Sequence, residues 1–247
     1  MIYERLDSRL RLTIAELDQL VGAVGGTIRP PDQWHDGGVL VEGAVHPAVA
    51  AMAMVAVAPH RWTVIERFDT EQAAPTRIGW QSSGMATVTE VAGDQVTISS
   101  TSLELLPSVA TQLLRLNPSR RRVGGSSITT TAGVIDDTIV AVASARRPAT
   151  SSLGTLVSVL TRFVSGWRTT GGWRGRPADS TMTVLDAGAA GLWEVEYTLA
   201  DGVARRSTEV GLRSAASADL LVSLGEVITG RHPVAASSGS GCSGMMS

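Results

Sequence analysis

Leu192-Trp193-Glu194-Val195-Glu196-Tyr197-Thr198-Leu199, then Asp201-Gly202, then Ala204 to Leu212, decide the fold class of this 247-residue chain. Trp193, Val195, Tyr197 and Leu199 fall on one side of the first segment, and Glu194 and Glu196 fall on the other. That period of two marks a half-buried strand. Asp201-Gly202 supplies residues that a two-residue hairpin turn prefers, because they tolerate positive φ. The period then changes. Ser217 stands where an N-cap is wanted, Leu221, Leu224 and Ile228 follow at spacings of three and four, and Gly230 ends the helix. With a further strand predicted over 181–185, the unit from Ser180 to Gly230 reads as three antiparallel strands and a helix. Strands joined by tight turns and followed by a helix indicate an α+β protein.

The opening of the chain has the same grammar. Thr13-Ile14-Ala15-Glu16 is a capping box, in which the Thr13 hydroxyl accepts from the Glu16 amide and Glu16 reaches back to the Thr13 N–H. Leu17, Leu20, Val21 and Val24 continue at helical spacing, and Gly25-Gly26 stops the helix. Aligning Thr13 with Ser217 places Leu17, Leu20, Val24 and Gly26 on Leu221, Leu224, Ile228 and Gly230. A strand-like run precedes each helix, Arg9-Leu10-Arg11-Leu12 in one and 207–212 in the other. Two related halves would produce this echo, and so would shared helix grammar alone.

Between these ends, Pro47 suits the first turn of a helix over 48–58 that has no charge and is expected to be buried. Residues 61–68 alternate, with Trp62, Val64 and Phe68 on one side and Arg61, Thr63 and Arg67 on the other. Strands over 76–81, 85–91 and 95–101 complete an antiparallel meander, with Gly93-Asp94 as the last tight turn. A helix over 103–116 follows, which Pro107 either starts or kinks. Residues 117–131 read as a linker, and Asp136-Asp137 as the acidic start of a helix over 138–145. A helix opens at Ser151 or Ser152 and carries Leu153, Leu156, Val157, Leu160 and Val164. Gly166 to Gly175 reads as a strand with a loop. The Ser- and Gly-rich residues 231–247 read as a disordered tail, leaving one domain over 1–230.

Composition excludes several chemistries. All 21 basic residues are Arg, so neither a phosphate-binding loop lysine nor Schiff-base chemistry is available. Cys242 is the only cysteine, which rules out an intramolecular disulfide and a cysteine-based metal cluster. His35, His46, His60 and His232 lie beside loops or prolines without metal-ligand spacing. Asp136-Asp137 and Glu194/Glu196 have ordinary structural uses at a helix start and on a polar strand face. Arg120-Arg121-Arg122 and Trp167-Arg168 through Trp173-Arg174-Gly175-Arg176 mix basic and aromatic residues as nucleic-acid binders do. The net charge of −2 argues against nucleic acid. The first residues lack the apolar run of a signal peptide, and the apolar stretch over 45–58 is too short and interrupted to span a bilayer. A cytoplasmic protein without metal or cofactor is the expectation.

Glu42-Gly43-Ala44-Val45-His46-Pro47-Ala48-Val49-Ala50, followed by Trp62-Thr63-Val64-Ile65-Glu66-Arg67-Phe68, resembles the EspG family of cytosolic chaperones of ESX (type VII) secretion. The order of predicted elements is similar too, over about 10–230. The resemblance implies an α+β fold of two quasi-symmetric halves, about 8–116 and 134–230, each an antiparallel sheet packed with helices. It implies a chaperone, not an enzyme, that binds the tip of the PPE subunit of a PE–PPE heterodimer and keeps it soluble and competent for export. Covering an exposed apolar tip prevents association. By location, the family's central sheet and helical region point to Trp80, Met85, Leu153, Leu156, Leu160 and Phe163 as partner-binding residues. Trp80 leads, because aromatic anchors are the usual hot spots. A homodimer stays open as a further partner class. The alternative is a hydrolase or small-ligand enzyme, suggested by the abundant Ser and Asp and the four His.

Overall fold

The computed structural model describes residues 1–68, 76–81, 84–116, 127–143, 165–197 and 206–230. Strand β1 (Ile2–Glu4) turns back into β2 (Arg9–Thr13), and the capping box ends the strand by starting α1 (Ile14–Val24). The Glu16 amide donates to Thr13 Oγ1 at 3.1 Å, and the Thr13 amide donates to Glu16 Oε2 at 2.8 Å. A two-strand ribbon, β3 (Leu40–Val41) with β4 (Ala44–Val45), leads to α2 (Pro47–Val57). His46 caps that helix by accepting the Ala48 N–H on Nδ1 at 3.1 Å. The expected meander follows as β5 (Arg61–Phe68), β6 (Thr76–Trp80), β7 (Met85–Ala92) and β8 (Gln95–Ser102). Ala92 opposes Gln95 across the Gly93-Asp94 turn, where Gly93 has φ +64°. Pro107 sits in the first turn of α3 (Leu106–Leu113), so it starts the helix. Among the described residues there follow β9 (Ile128–Thr131), α4 (Ala132–Ala143), β10 (Ser165–Trp173), β11 (Ala178–Asp186), β12 (Leu192–Tyr197), β13 (Glu209–Ala215) and α5 (Ser217–Thr229).

All the strands except β3 and β4 form one antiparallel sheet in the order β1-β2-β8-β7-β6-β5-β10-β11-β12-β13-β9. The α+β class is as expected. The sheets expected separately, one per half, are instead continuous, because β5 and β10 pair from Arg61 opposite Trp173 to Phe68 opposite Gly166. That ladder removes what would be two exposed central edges. Helices α3 and α5 cover the middle of one face. They share a core with Ile65, Ile78, Val88, Trp167, Val184 and Leu192, which come from both stretches of chain. On the other face α1 and α2 cover one side, around Leu20, Met52 and Ile98, while α4 covers the other, around Ile135, Trp193 and Leu212.

Several local expectations change in this setting. The opening and closing units occupy different places: β2 lies between β1 and β8, whereas β13 lies between β12 and β9. Ser217 is the first helical residue and not the cap. Ala216 is the N-cap, and the Ser217 hydroxyl is buried without a hydrogen-bond partner among the described residues. Part of the expected linker, Ile128–Thr131, is a strand, because β13 pairs with it. Chain entering from that strand begins α4 at Ala132, so Asp136 and Asp137 sit inside the helix and do not lead it. Its first amides are met instead by backbone: Ala132 N–H donates to Thr208 O and Gly133 N–H to Arg206 O, both at 2.9 Å. Arg206 Nη2 donates to both Asp137 carboxylate oxygens, and Arg168 Nη2 donates to Asp136 Oδ1 alone at 3.3 Å. Glu194 and Glu196 both pair with Arg213 on the polar face of β12, the structural use expected of them. Helix α2 buries Val49, Met52, Ala53, Val55 and Ala56 but leaves Met54 and Val57 exposed. The helix expected from Ser151, the Asp201-Gly202 turn, Arg120–Arg122 and the tail lie outside the described residues.

Candidate interaction groove

Alternation along 61–68 puts Arg61 and Thr63 with the polar residues, yet both are fully buried, and Trp62 and Val64 are only half-buried. The reason is the end of α5. The last carbonyls of a helix have no partner within it and carry its negative dipole end. Arg61 supplies both the donors and the charge. Its Nε donates to Val227 O at 3.1 Å and Ile228 O at 3.0 Å, and Nη2 donates to Val227 O at 2.6 Å. The two Nη atoms fork onto the Asp179 carboxylate at 2.9 and 3.0 Å, and Nη2 also reaches Ser180 Oγ at 3.0 Å. Two glycines leave room for this. A Cβ on Gly171 would stand 2.9 Å from Val227 O, and one on Gly230, at φ +76°, would stand 2.9 Å from Arg61 Nη1. The hydrogen bond from Arg61 holds the Asp179 carboxyl below the usual carboxylate range, against the opposing pull of burial.

Over this knot lies a groove of about 520 Å³ lined by His60, Trp80, Trp173, Arg174 and Arg176. The turn from α2 into β5, the end of β6 and the turn after β10 bring these side chains together. The Trp173 ring lies 5.1 Å from the Arg61 guanidinium carbon and meets the Trp80 ring edge-on at 5.8 Å. Trp80 is fixed by its indole N–H, which donates to Ile228 O at 2.9 Å. Arg174 and Arg176 are exposed, and neither side chain has an ion-pair partner among the described residues. The nearby Asp179 is committed to Arg61. The result is an aromatic floor with a positive rim, a composition enriched at protein interfaces. Among the described residues no group of three or more His, Cys, Asp or Glu is placed to hold a metal ion.

Of the expected partner-binding residues, Trp80 lines the groove. Met85 stands across the same hairpin turn, but Trp80 opposes Ala86, so alternation sends Met85 to the other face of the sheet. Leu153, Leu156, Leu160 and Phe163 lie outside the described residues. Arg61, His60, Trp173, Arg174 and Arg176 were absent from that set. The Trp173-Arg174-Gly175-Arg176 run was a visible signal for three of them, since it stood out as basic and aromatic. Nothing local marks Arg61, because its partners lie 118 residues and more along the chain.

No family model matches this chain, and no curated protein matches it. Among solved structures it is similar to the Mycobacterium tuberculosis type VII secretion system chaperone EspG5, seen in a complex with the PE25–PPE41 dimer. The match has a TM-score of 0.58 at 11% identity and covers 92% of this chain and 97% of the other. At that identity the likeness is one of fold, and it extends over nearly the full length of both chains.

Proposed function

We propose that this chain is a cytoplasmic chaperone of type VII secretion, which binds a PE–PPE heterodimer at the tip of the PPE subunit and keeps it soluble for export. The observation that carries the reading is the extent of the structural likeness, since a type VII secretion system chaperone seen with a PE–PPE dimer matches almost end to end. The strand order adds support. A strand and helix (β2, α1), then a four-strand meander, then a helix (α3) are followed by the same series again in β9, α4, β10–β13 and α5. In our reading the chain is therefore two quasi-symmetric halves joined at β5 and β10, the first about 8–116 and the second the expected 134–230 extended back to β9 at Ile128. Trp80, Met85, Leu153, Leu156, Leu160 and Phe163 are the contact residues of this proposal. Burying a partner's apolar tip against such residues would remove a surface that otherwise drives association.

Co-expression with PE–PPE pairs from the same genome tests the reading. A stoichiometric complex that survives size-exclusion chromatography is expected with at least one pair. Its absence with every pair would sink the proposal. A Leu156→Glu/Leu160→Glu variant is expected to lose that complex, with its melting temperature measured alongside to separate a lost contact from a lost fold.

A further inference from the structure

We infer that the Trp80–Trp173 groove is a docking site for an acidic protein segment that carries an aromatic or branched aliphatic side chain. The inference does not depend on the identity of the partner proposed above. Charge complementarity carries it. In a molecule of net charge −2, Arg174 and Arg176 flank the groove without ion-pair partners among the described residues. The carboxylate nearest to them in sequence, Asp179, is tied to the buried Arg61 by two hydrogen bonds and cannot neutralise them. A ligand that brings its own carboxylates gives both exposed arginines charge-assisted partners, and Arg forks suit carboxylates geometrically.

The floor requires the apolar part. Trp80 has its only polar group satisfied by Ile228 O, so its remaining ring surface offers packing and not hydrogen bonds. Trp173 packs against both the Arg61 guanidinium and the Trp80 ring, so the floor is already assembled without a ligand. A pre-organised aromatic pocket beside arginines is hot-spot chemistry for a protein segment. Nucleic acid fits less well, since two arginines at one turn do not extend into the basic track that follows a phosphate backbone.

The test uses the full chain and two fluorescein-labelled hexapeptides, acidic DDFEDL and basic KKFKKL, together with labelled oligothymidylate. The acidic peptide is expected to bind saturably, and Arg174→Glu/Arg176→Glu should weaken it at least about tenfold, the loss of two charge pairs at the rim. Arg11→Glu/Arg29→Glu alters net charge equally on β2 and in the loop after α1, outside the groove lining, and should leave binding within about twofold. In spectra of the ¹⁵N-labelled protein, the indole signals of Trp80 and Trp173 should shift on titration while those of Trp34 and Trp193 stay in place. Several outcomes overturn the inference: no binding of the acidic peptide, equal binding of the basic one, indifference to the Arg174/Arg176 change, or tighter binding of oligothymidylate through the same arginines. Matching melting temperatures of the variants exclude misfolding as the cause of any loss.

Discussion

Arg61 shows how one side chain reverses a strand's expected faces. Burying an arginine is costly unless it is paired and hydrogen-bonded, and here helix carbonyls, a carboxylate and a hydroxyl engage all three of its nitrogens. Replacing it with Met should cost about 3–5 kcal/mol, because the α5 carbonyls and Asp179 lose their donor together. Asp179→Asn should cost less, about 1–2 kcal/mol, since that carboxylate is 40% exposed and screened by water. The pH dependence follows from the depressed pKa of Asp179. The unfolded chain takes up the proton first, so the pair's contribution is complete above the ordinary carboxylate pKa of about 4 and is lost as pH falls through the lower folded value. Urea midpoints of the unmodified and Asp179→Asn proteins should therefore differ at neutral pH and converge in acid. A gap that persists unchanged in acid would show that Asp179 contributes through something other than its charge.

At the scale of single elements, α2 separates composition from placement. Its residues are apolar throughout, yet one side is core and the other is surface. Met52→Ala should cost about 2–5 kcal/mol, as expected of a core truncation, whereas Met54→Gln should stay within about 0.5 kcal/mol. Comparable losses from both, read by thermal unfolding, would mean that the exposed side is covered. The same helix presses on the sheet at Gly79, where an added Cβ would lie 2.7 Å from Val55 O. Gly79→Ala is expected to cost about 1–3 kcal/mol by overpacking. For α1, Thr13→Ala removes the cap and should cost about 1 kcal/mol. That expectation needs only the sequence, because the bonds between Thr13 and Glu16 span three residues.

For the whole molecule, the β5–β10 ladder and the shared core under α3 and α5 join the two stretches of chain. Unfolding is expected to be a single transition, with far-ultraviolet and near-ultraviolet circular dichroism tracing the same urea curve. Two separate transitions would show that each half keeps its own stability. Amide exchange should be slowest in β5 and β10, which lie at the sheet centre under helices, and fastest in the edge strands β1 and β9.

Local energetics made much of this protein legible in its sequence. Strand alternation in β12, the Gly93-Asp94 turn, the Thr13–Glu16 capping box and the Pro47 helix start depend on neighbours a few residues away, so their residues state them directly. The α+β class follows from the same signals. Tertiary structure decided what those signals cannot reach. Whether β5 and β10 are edges or partners depends on pairing between distant segments. Whether Arg61 faces water or core depends on a helix end and a carboxylate supplied from the far half of the chain. Asp136 and Asp137 entered a helix because β13 recruited β9 ahead of it. The groove formed by Trp80, Trp173 and the two rim arginines exists only because two turns, the end of β6 and the end of α5 converge, a geometry that no local period encodes.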